Sequence, residues 1–343
     1  MTALPRRPVG DTGLELTVLG FGGAPLGGLY ARLSDEAAQA TVDAAIAAGI
    51  GYFDTAPFYS HGLSEHRLGR GLRTVPREDI VLSSKVGRLL RPVRAEEVGP
   101  TMYAEVLPFQ VAFDYSYDGV MRSIEDSWQR LGMSRIDIVY LHDVNRRWHG
   151  DAVEQRFAET MAGGYRALDR LRGEGVIKAI GVGVNDPGIL CRFAEAGRFD
   201  LFMLAGRYTL LEQTPLDDLL PLCAERRIAI TVAAPFNSGI LVTGARAGAK
   251  YFYTDAPPEI LDTTRRIEEV CDAHGVPLPA AALQFPLGHP AVASVVAGLA
   301  SPVEVEDAVR NIAHPIPAGL WSDLKAEGLL RQDAPVPMEN PDA

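Results

Sequence analysis

The chain has 343 residues, 47% of them hydrophobic and 22% charged, a balance that suits a folded globular protein and excludes intrinsic disorder. Its net charge is −11, so a nucleic-acid backbone would be repelled. The longest apolar run, Ala291–Ala300, is far short of the roughly 20 residues of a membrane helix, and residues 1–20 hold no apolar core or cleavage site, so neither a membrane span nor a secretory signal is expected.

In chain order, Arg7 to Leu16 holds two short extended runs around Gly10-Asp11-Thr12-Gly13, the pattern of a hairpin. A short β-rich apolar run followed by a longer helical stretch then recurs. The strands are predicted at Val18–Phe21, Tyr52–Asp54, Ile80–Ser84, Ile136–Leu141, Ala179–Val184, Leu201–Leu204, Ile228–Ala233 and Ser294–Ala297. The first helix is capped by Ser34, with Asp35 and Glu36 in its first turn, where the helix dipole favours anions. Further helices are predicted near Ser64–Arg70, Asp118–Leu131, Met161–Arg172, Pro187–Ala196, Pro215–Arg226, Pro258–His274 and Pro302–Ile312. Gly49, Gly132, Gly175 and Gly275 stand at their ends as C-caps.

Strict β–α alternation implies parallel strands with helices outside. Eight such units predict an α/β fold, a single (β/α)8 TIM barrel with an N-terminal hairpin and long βα loops. No linker divides the chain, so one domain over 1–343 is expected, with a barrel core at about 17–313 and a C-terminal extension at 314–343. The longest interruptions, Arg88–Asp114 and Ala234–Ala256, each follow a strand end. Pro335–Ala343 reads as a loose tail. Cys191, Cys223 and Cys271 form no CxxC pair and read as reduced core thiols of a cytoplasmic protein; their number excludes a cysteine-type zinc site.

Active residues of such barrels sit at the C-terminal ends of strands. Those ends carry Asp54, Lys85 and His142, with Tyr59 in the loop five residues beyond Asp54. A carboxylate, an ammonium, an imidazole and a phenol would therefore meet at one mouth. A free phenol has a pKa of about 10, too high for a good base near neutrality. A buried ammonium beside it would stabilise the phenolate and lower that value, a carboxylate would hold the ammonium in place, and the imidazole would hydrogen-bond the substrate oxygen. Such a set suits carbonyl/alcohol interconversion with a hydride partner. A metal-dependent barrel hydrolase would use clustered histidines, commonly His-x-His; the seven histidines never form that pair. A non-catalytic, cofactor-sensing subunit on the same fold is the other alternative, against which the complete set of four argues.

The run Gly51-Tyr-Phe-Asp54-Thr-Ala-Pro-Phe-Tyr59, then Gly62-Leu-Ser-Glu65, Leu68-Gly69, Ser84-Lys85-Val86-Gly87-Arg88 and Asp137-Ile-Val-Tyr-Leu141-His142 resembles the signature of the aldo-keto reductase superfamily. The resemblance implies a catalytic tetrad of Asp54, Tyr59, Lys85 and His142, with Tyr59 as general acid/base, and an NAD(P) cofactor bound across the barrel mouth. It also implies that Gly22 and Gly23 let backbone approach the nicotinamide and that Asn185 contacts the carboxamide. Two departures stand out: Ala205 and Ala233 replace the Gln and Tyr that many members carry. Three segments, Ala205–Leu211, Pro235–Gly239 and Gly319–Lys325, resemble the bacterial aldose 1-dehydrogenases, L-fucose dehydrogenases and pyridoxal 4-dehydrogenases. The substrate expected is a small hydroxylated sugar, aldehyde or alcohol: L-fucose or a D-threo-aldose oxidised at C1 to the lactone, with pyridoxal or general aldehyde and ketone reduction as alternatives.

NAD is expected in preference to NADP. The turn through Gly298, Ser301 and Glu304 opens the last barrel helix, and helix N-termini bind phosphates. Relatives that prefer NADP place basic residues there; this chain has no Lys or Arg from Ala291 to Val309. Ser301-Pro-Val-Glu304 also reads as a capping box.

Overall fold

The computed structural model describes residues 4–337. Eight strands close a parallel barrel: β1 (Leu19–Gly22), β2 (Tyr52–Asp54), β3 (Val81–Val86), β4 (Ile138–His142), β5 (Ala179–Val184), β6 (Leu201–Ala205), β7 (Ala229–Ala233) and β8 (Val292–Gly298). They pair in chain order, and β8 returns to β1 with Val295 opposite Leu19 and Gly298 opposite Gly22. In the same register Gly22 stands opposite Asp54, and His142 opposite Gly183. The predicted strands match to within two residues at each end, because each is a short, largely apolar run bounded by turn residues.

Local chemistry sets the helix ends. Ser34 Oγ accepts from the Ala37 N–H at 3.2 Å and opens Asp35–Ala47. Asp186 caps Pro187–Ala196 in the same way, with proline in the first turn. Gly132 closes Tyr117–Leu131 at a φ of 62°. The helix expected over Met161–Arg172 starts earlier, at Val153, and passes through a π-turn at Thr160–Gly164, where the Gly164 N–H leaves the helix to donate to the Tyr115 carbonyl at 2.9 Å. A helix at Leu278–Gln284 escaped the periodicity because every residue on it but Pro279 and Gln284 is apolar.

The hairpin Arg6–Pro8 with Glu15–Thr17 plugs the N-terminal end of the barrel, where Val9 and Leu16 are fully buried among inward-facing strand residues. Arg7 Nη1 ties it to the Val292 carbonyl at 2.8 Å. Both long interruptions carry ribbons: Arg88–Pro92 pairs with Phe109–Phe113, and Lys250–Tyr251 with Thr254–Asp255. Ala318–Ala326 packs on Pro258–Ala273. The tail is not loose where it is described: Val336 packs on the core, and Pro335 and Val336 lie so close to Gly288 that no Cβ would fit there. Residues 338–343 fall outside the described residues. The three cysteines are free thiols, and burial pushes Cys223 and Cys271 up to about 12.

Candidate active site

A cavity of about 220 Å³ opens at the C-terminal ends of the strands. Asp54, Tyr59, Lys85, His142, Gly22, Asn185 and Gly298 all line it. Asp54 and Lys85 are each 2% exposed, and Lys85 Nζ donates to Asp54 Oδ2 at 2.5 Å and to the Thr55 carbonyl at 3.0 Å. The other carboxylate oxygen accepts from Ser83 Oγ at 2.7 Å. Ser83 in turn meets Tyr52, whose hydroxyl lies 3.0 Å from that of Tyr140. The barrel interior beneath the mouth is thus a connected polar layer that fixes the carboxylate from below.

Tyr59 is held by a strained turn. Ser60 and His61 have φ of 51° and 52°, a region that residues with a Cβ avoid, and Ser60 Oγ anchors the turn on the Gly27 carbonyl. The Tyr59 ring stands perpendicular to that of His142, with centroids 6.1 Å apart, and Lys85 Nζ lies 4.7 Å from its centre.

The electrostatics differ from expectation at Tyr59. Burial pushes its phenol well above 10, and the Asp54 carboxylate adds to the shift. Lys85 was expected to lower it. Its charge is instead taken up by Asp54 at 2.5 Å, so the pair presents little net field and desolvation wins. Tyr59 is therefore a protonated donor at neutral pH. Burial, helped by Arg88 and Lys85, drives His142 well below its ordinary value, so its imidazole is neutral. Asp54 is raised by burial despite Lys85.

Three residues expected to contact the cofactor, Gly23, Ser301 and Glu304, do not line this cavity. Gly23 follows the end of β1, its N–H donating to the Asp54 carbonyl at 2.7 Å and its own carbonyl accepting from Ser64 Oγ at 2.6 Å. A Cβ there would come within 2.8 Å of that Asp54 carbonyl, so the close approach that needs glycine is to the protein's own backbone. Ser301 and Glu304 do not line the cavity; they cap the helix beginning at Pro302. The cap departs from a capping box: Ser301 Oγ accepts from the Glu304 N–H, but Glu304 Oε2 accepts from the N–H of Ala300, one residue before the cap.

Other residues emerge only in three dimensions. Arg88, 1% exposed, sits among the rings of Phe58, Trp148 and Phe113 and pairs with Asp143, which lines the cavity beside His142. Tyr103, Phe252 and Tyr253 supply further aromatic wall. The available signal was adjacency: Arg88 ends the Ser84–Arg88 run, and Asp143 directly follows His142. Ser64 and Glu65 of the Gly62–Glu65 run are scaffold. Glu65 is fully buried and bonded to Ser84 and Arg130.

This barrel and mouth define a TIM-barrel oxidoreductase. The chain belongs to the aldo/keto reductase family, whose pattern matches residues 18–326. It is 45% identical to a pyridoxal 4-dehydrogenase of Microbacterium luteolum, covering 96% of this chain and 99% of that one. It is 42% identical to a D-threo-aldose 1-dehydrogenase of a Pseudomonas species, covering 93% and 96%. Among solved structures it resembles the holo form of an aldo-keto reductase from Bacillus halodurans, with a TM-score of 0.74 and 26% identity over 96% of this chain and 97% of the other.

The family uses nicotinamide cofactors, and the cavity fits one. At or next to strand ends, Gly22, Gly183, Ala205, Ala233 and Gly298 line the cavity with side chains no larger than a methyl group, which leaves room at the mouth for a flat ring. The buried Asn237 donates to the Gly206 carbonyl, while its Oδ1 has no partner among the described residues. Among those residues no helix is long and apolar enough to cross a membrane.

Proposed function

We propose that the protein is an NAD-dependent dehydrogenase that oxidises a cyclic hemiacetal to a lactone, with L-fucose or another D-threo-aldose reacting at C1 as first substrate. The observation that carries the reading is the Asp54–Lys85 pair at 2.5 Å beneath Tyr59, with His142 across the same cavity. Asp54, Tyr59, Lys85 and His142 act as the catalytic tetrad. The bound nicotinamide supplies the hydride acceptor. The neutral His142 imidazole donates a hydrogen bond to the reacting substrate oxygen and orients it. Tyr59 exchanges the hydroxyl proton at that oxygen, taking it in oxidation and giving it in reduction. Lys85 packs its ammonium against the Tyr59 ring, and Asp54 keeps Lys85 in place. Gly22, Asn185 and Gly298, which line the cavity, are the cofactor contacts of this reading. The barrel and its C-terminal extension serve as one unit, since Leu329 and Leu330 are buried in the core cluster.

The NAD preference rests on charge. No Lys or Arg stands between Ala291 and Val309, and the Glu304 carboxylate already occupies the Ala300 N–H. A 2′-phosphate there would meet a negative charge and a donor already used.

Pyridoxal is the second reading, favoured by the 45% identity to a pyridoxal 4-dehydrogenase and by aromatic walls suited to a flat ring. The test is NADH formation with L-fucose, D-arabinose and pyridoxal, for wild type and Tyr59→Phe. The variant keeps the ring and loses the transferable proton, so turnover should fall by at least about 10²–10⁴-fold. Near-normal turnover would remove Tyr59 from its role, and activity confined to bulky apolar ketones would contradict the substrate class.

A further inference from the structure

Asp143 follows His142 at the end of β4. Its φ is 58°, a left-handed conformation that Asp adopts more readily than most residues. The turn is pinned by its N–H donating to the Gly183 carbonyl at 3.0 Å and by its carbonyl accepting from the Asn145 N–H at 2.9 Å. Asp143 lines the cavity, with its Oδ2 3.4 Å from His142 Nε2. Arg88 Nη2 donates to that same Oδ2. The other oxygen, Oδ1, accepts no hydrogen bond from any of the described residues.

Burying this pair is costly. The Arg88 guanidinium lies 3.9 Å from the centre of the Phe58 ring and 4.2 Å from that of Trp148, and its Nε has no partner among the described residues. Well-packed apolar side chains would fill such an aromatic box with less desolvation. The pair therefore calls for a reason beyond packing, and a carboxylate oxygen without a protein partner among the described residues, on a residue that lines the cavity, supplies one.

We infer that Asp143 determines substrate specificity by accepting, through Oδ1, a hydrogen bond from a hydroxyl on the carbon next to the reacting carbon, with Arg88 as its positioning residue. The reacting oxygen must lie against Tyr59 and His142. A carboxylate 3.4 Å from His142 Nε2 is then within reach of the neighbouring carbon's substituent. An ionised carboxylate can only accept, so it favours a hydroxyl, and a hydrogen in that place leaves it unpaired. Arg88 balances its charge, so the site selects a neutral hydroxyl and not a cation. The substrate class is α-hydroxyaldehydes and the lactols of aldoses with a free 2-hydroxyl. This deepens the function proposed above and rests on it only for where the reacting oxygen sits.

The test compares lactaldehyde with propanal, which differ by the α-hydroxyl alone, as substrates for reduction by NADH. Wild type should favour lactaldehyde in kcat/KM by about 10–100-fold, the worth of a hydrogen bond to a charged group. Asp143→Asn, which keeps the shape and leaves an amide oxygen for Arg88, should compress that ratio to within about threefold. A merely structural role would lower both substrates together and leave the ratio alone. Should the variant not fold, the wild-type ratio decides, with D-arabinose against 2-deoxy-D-ribose as a second pair. A wild-type ratio near one, or an unchanged ratio in folded Asp143→Asn, overturns the inference. Preference for lactaldehyde with no oxidation of any aldose would sink the lactol reading and leave the role of Asp143 standing; reduction of neither aldehyde together with oxidation of no aldose overturns both.

Discussion

Removing Lys85 probes the foundation of the site. Its Nζ meets Asp54 Oδ2 at 2.5 Å, and the two side chains are 2% and 3% exposed. Among the described residues, Lys85→Met leaves the Asp54 carboxylate with the Ser83 hydroxyl, 2.7 Å from Oδ1, as its one remaining side-chain partner. Asp54→Asn leaves the ammonium with neutral acceptors among the described residues, the new amide oxygen and the Thr55 carbonyl at 3.0 Å, and with no counter-charge. Breaking a buried pair from one side costs about 3–5 kcal/mol, a large share of a total stability of about 5–15 kcal/mol. The double variant strands no charge, and the amide that replaces the carboxylate can keep the Ser83 bond. It should therefore be less destabilised than the sum of the singles by at least about 2 kcal/mol. Urea denaturation of all four proteins measures this directly. The pH dependence has a definite sign. Without Lys85, burial acts on Asp54 alone and raises its folded pKa further above the unfolded value of about 3.9. The folded state then holds that proton more tightly than the unfolded one. The Lys85→Met deficit should be full at pH 8 and shrink as pH falls through the raised folded value. Strict additivity of the two substitutions, or a deficit that grows on acidification, would refute the pairing as the main reason for the loss.

The remaining expectations concern the reaction and the scaffold. Because burial holds the Tyr59 phenol well above 10, oxidation, which needs the phenolate, should rise by about tenfold per pH unit from pH 7 to 9, while reduction, which needs the phenol, stays flat; pH–rate profiles in both directions check this, and a flat oxidative profile contradicts it. NAD should exceed NADP in kcat/KM by at least about tenfold, since about 2 kcal/mol of charge discrimination is worth roughly 30-fold, and Glu304→Lys should narrow the gap; equal efficiency in wild type would show the charge argument to be wrong. Gly69→Ala should lose about 1–3 kcal/mol or more, because its Cβ would stand 2.1 Å from the Leu131 carbonyl oxygen where two helices cross; an unchanged Tm would mean that this crossing yields easily.

Much of the barrel could be read because its signals are local. A cap such as Ser34 or a C-cap such as Gly132 acts within a few residues, and each strand is a short apolar run between turns. The departures arose where a tertiary partner competed. The Gly164 N–H has two possible carbonyls, and the one on Tyr115 wins. Leu278–Gln284 is buried on nearly every side, so its pattern lost the amphipathic period. Pro335 and Val336 look like a solvated tail until Gly288 offers a groove.

The site divides in the same way. The order of residue types along the chain sufficed to place Asp54, Tyr59, Lys85 and His142 at one mouth, because alternating strands and helices must deliver strand ends to a common rim. Adjacent residues do not say how much water remains once the barrel closes. Solvent exclusion decided that Tyr59 keeps its proton, that the charge of Lys85 is neutralised by Asp54, and that Arg88, from the loop after β3, meets Asp143, from the loop after β4, 55 residues further along. Pair energies and desolvation depend on distances in space and on burial, and closure of the barrel creates both together.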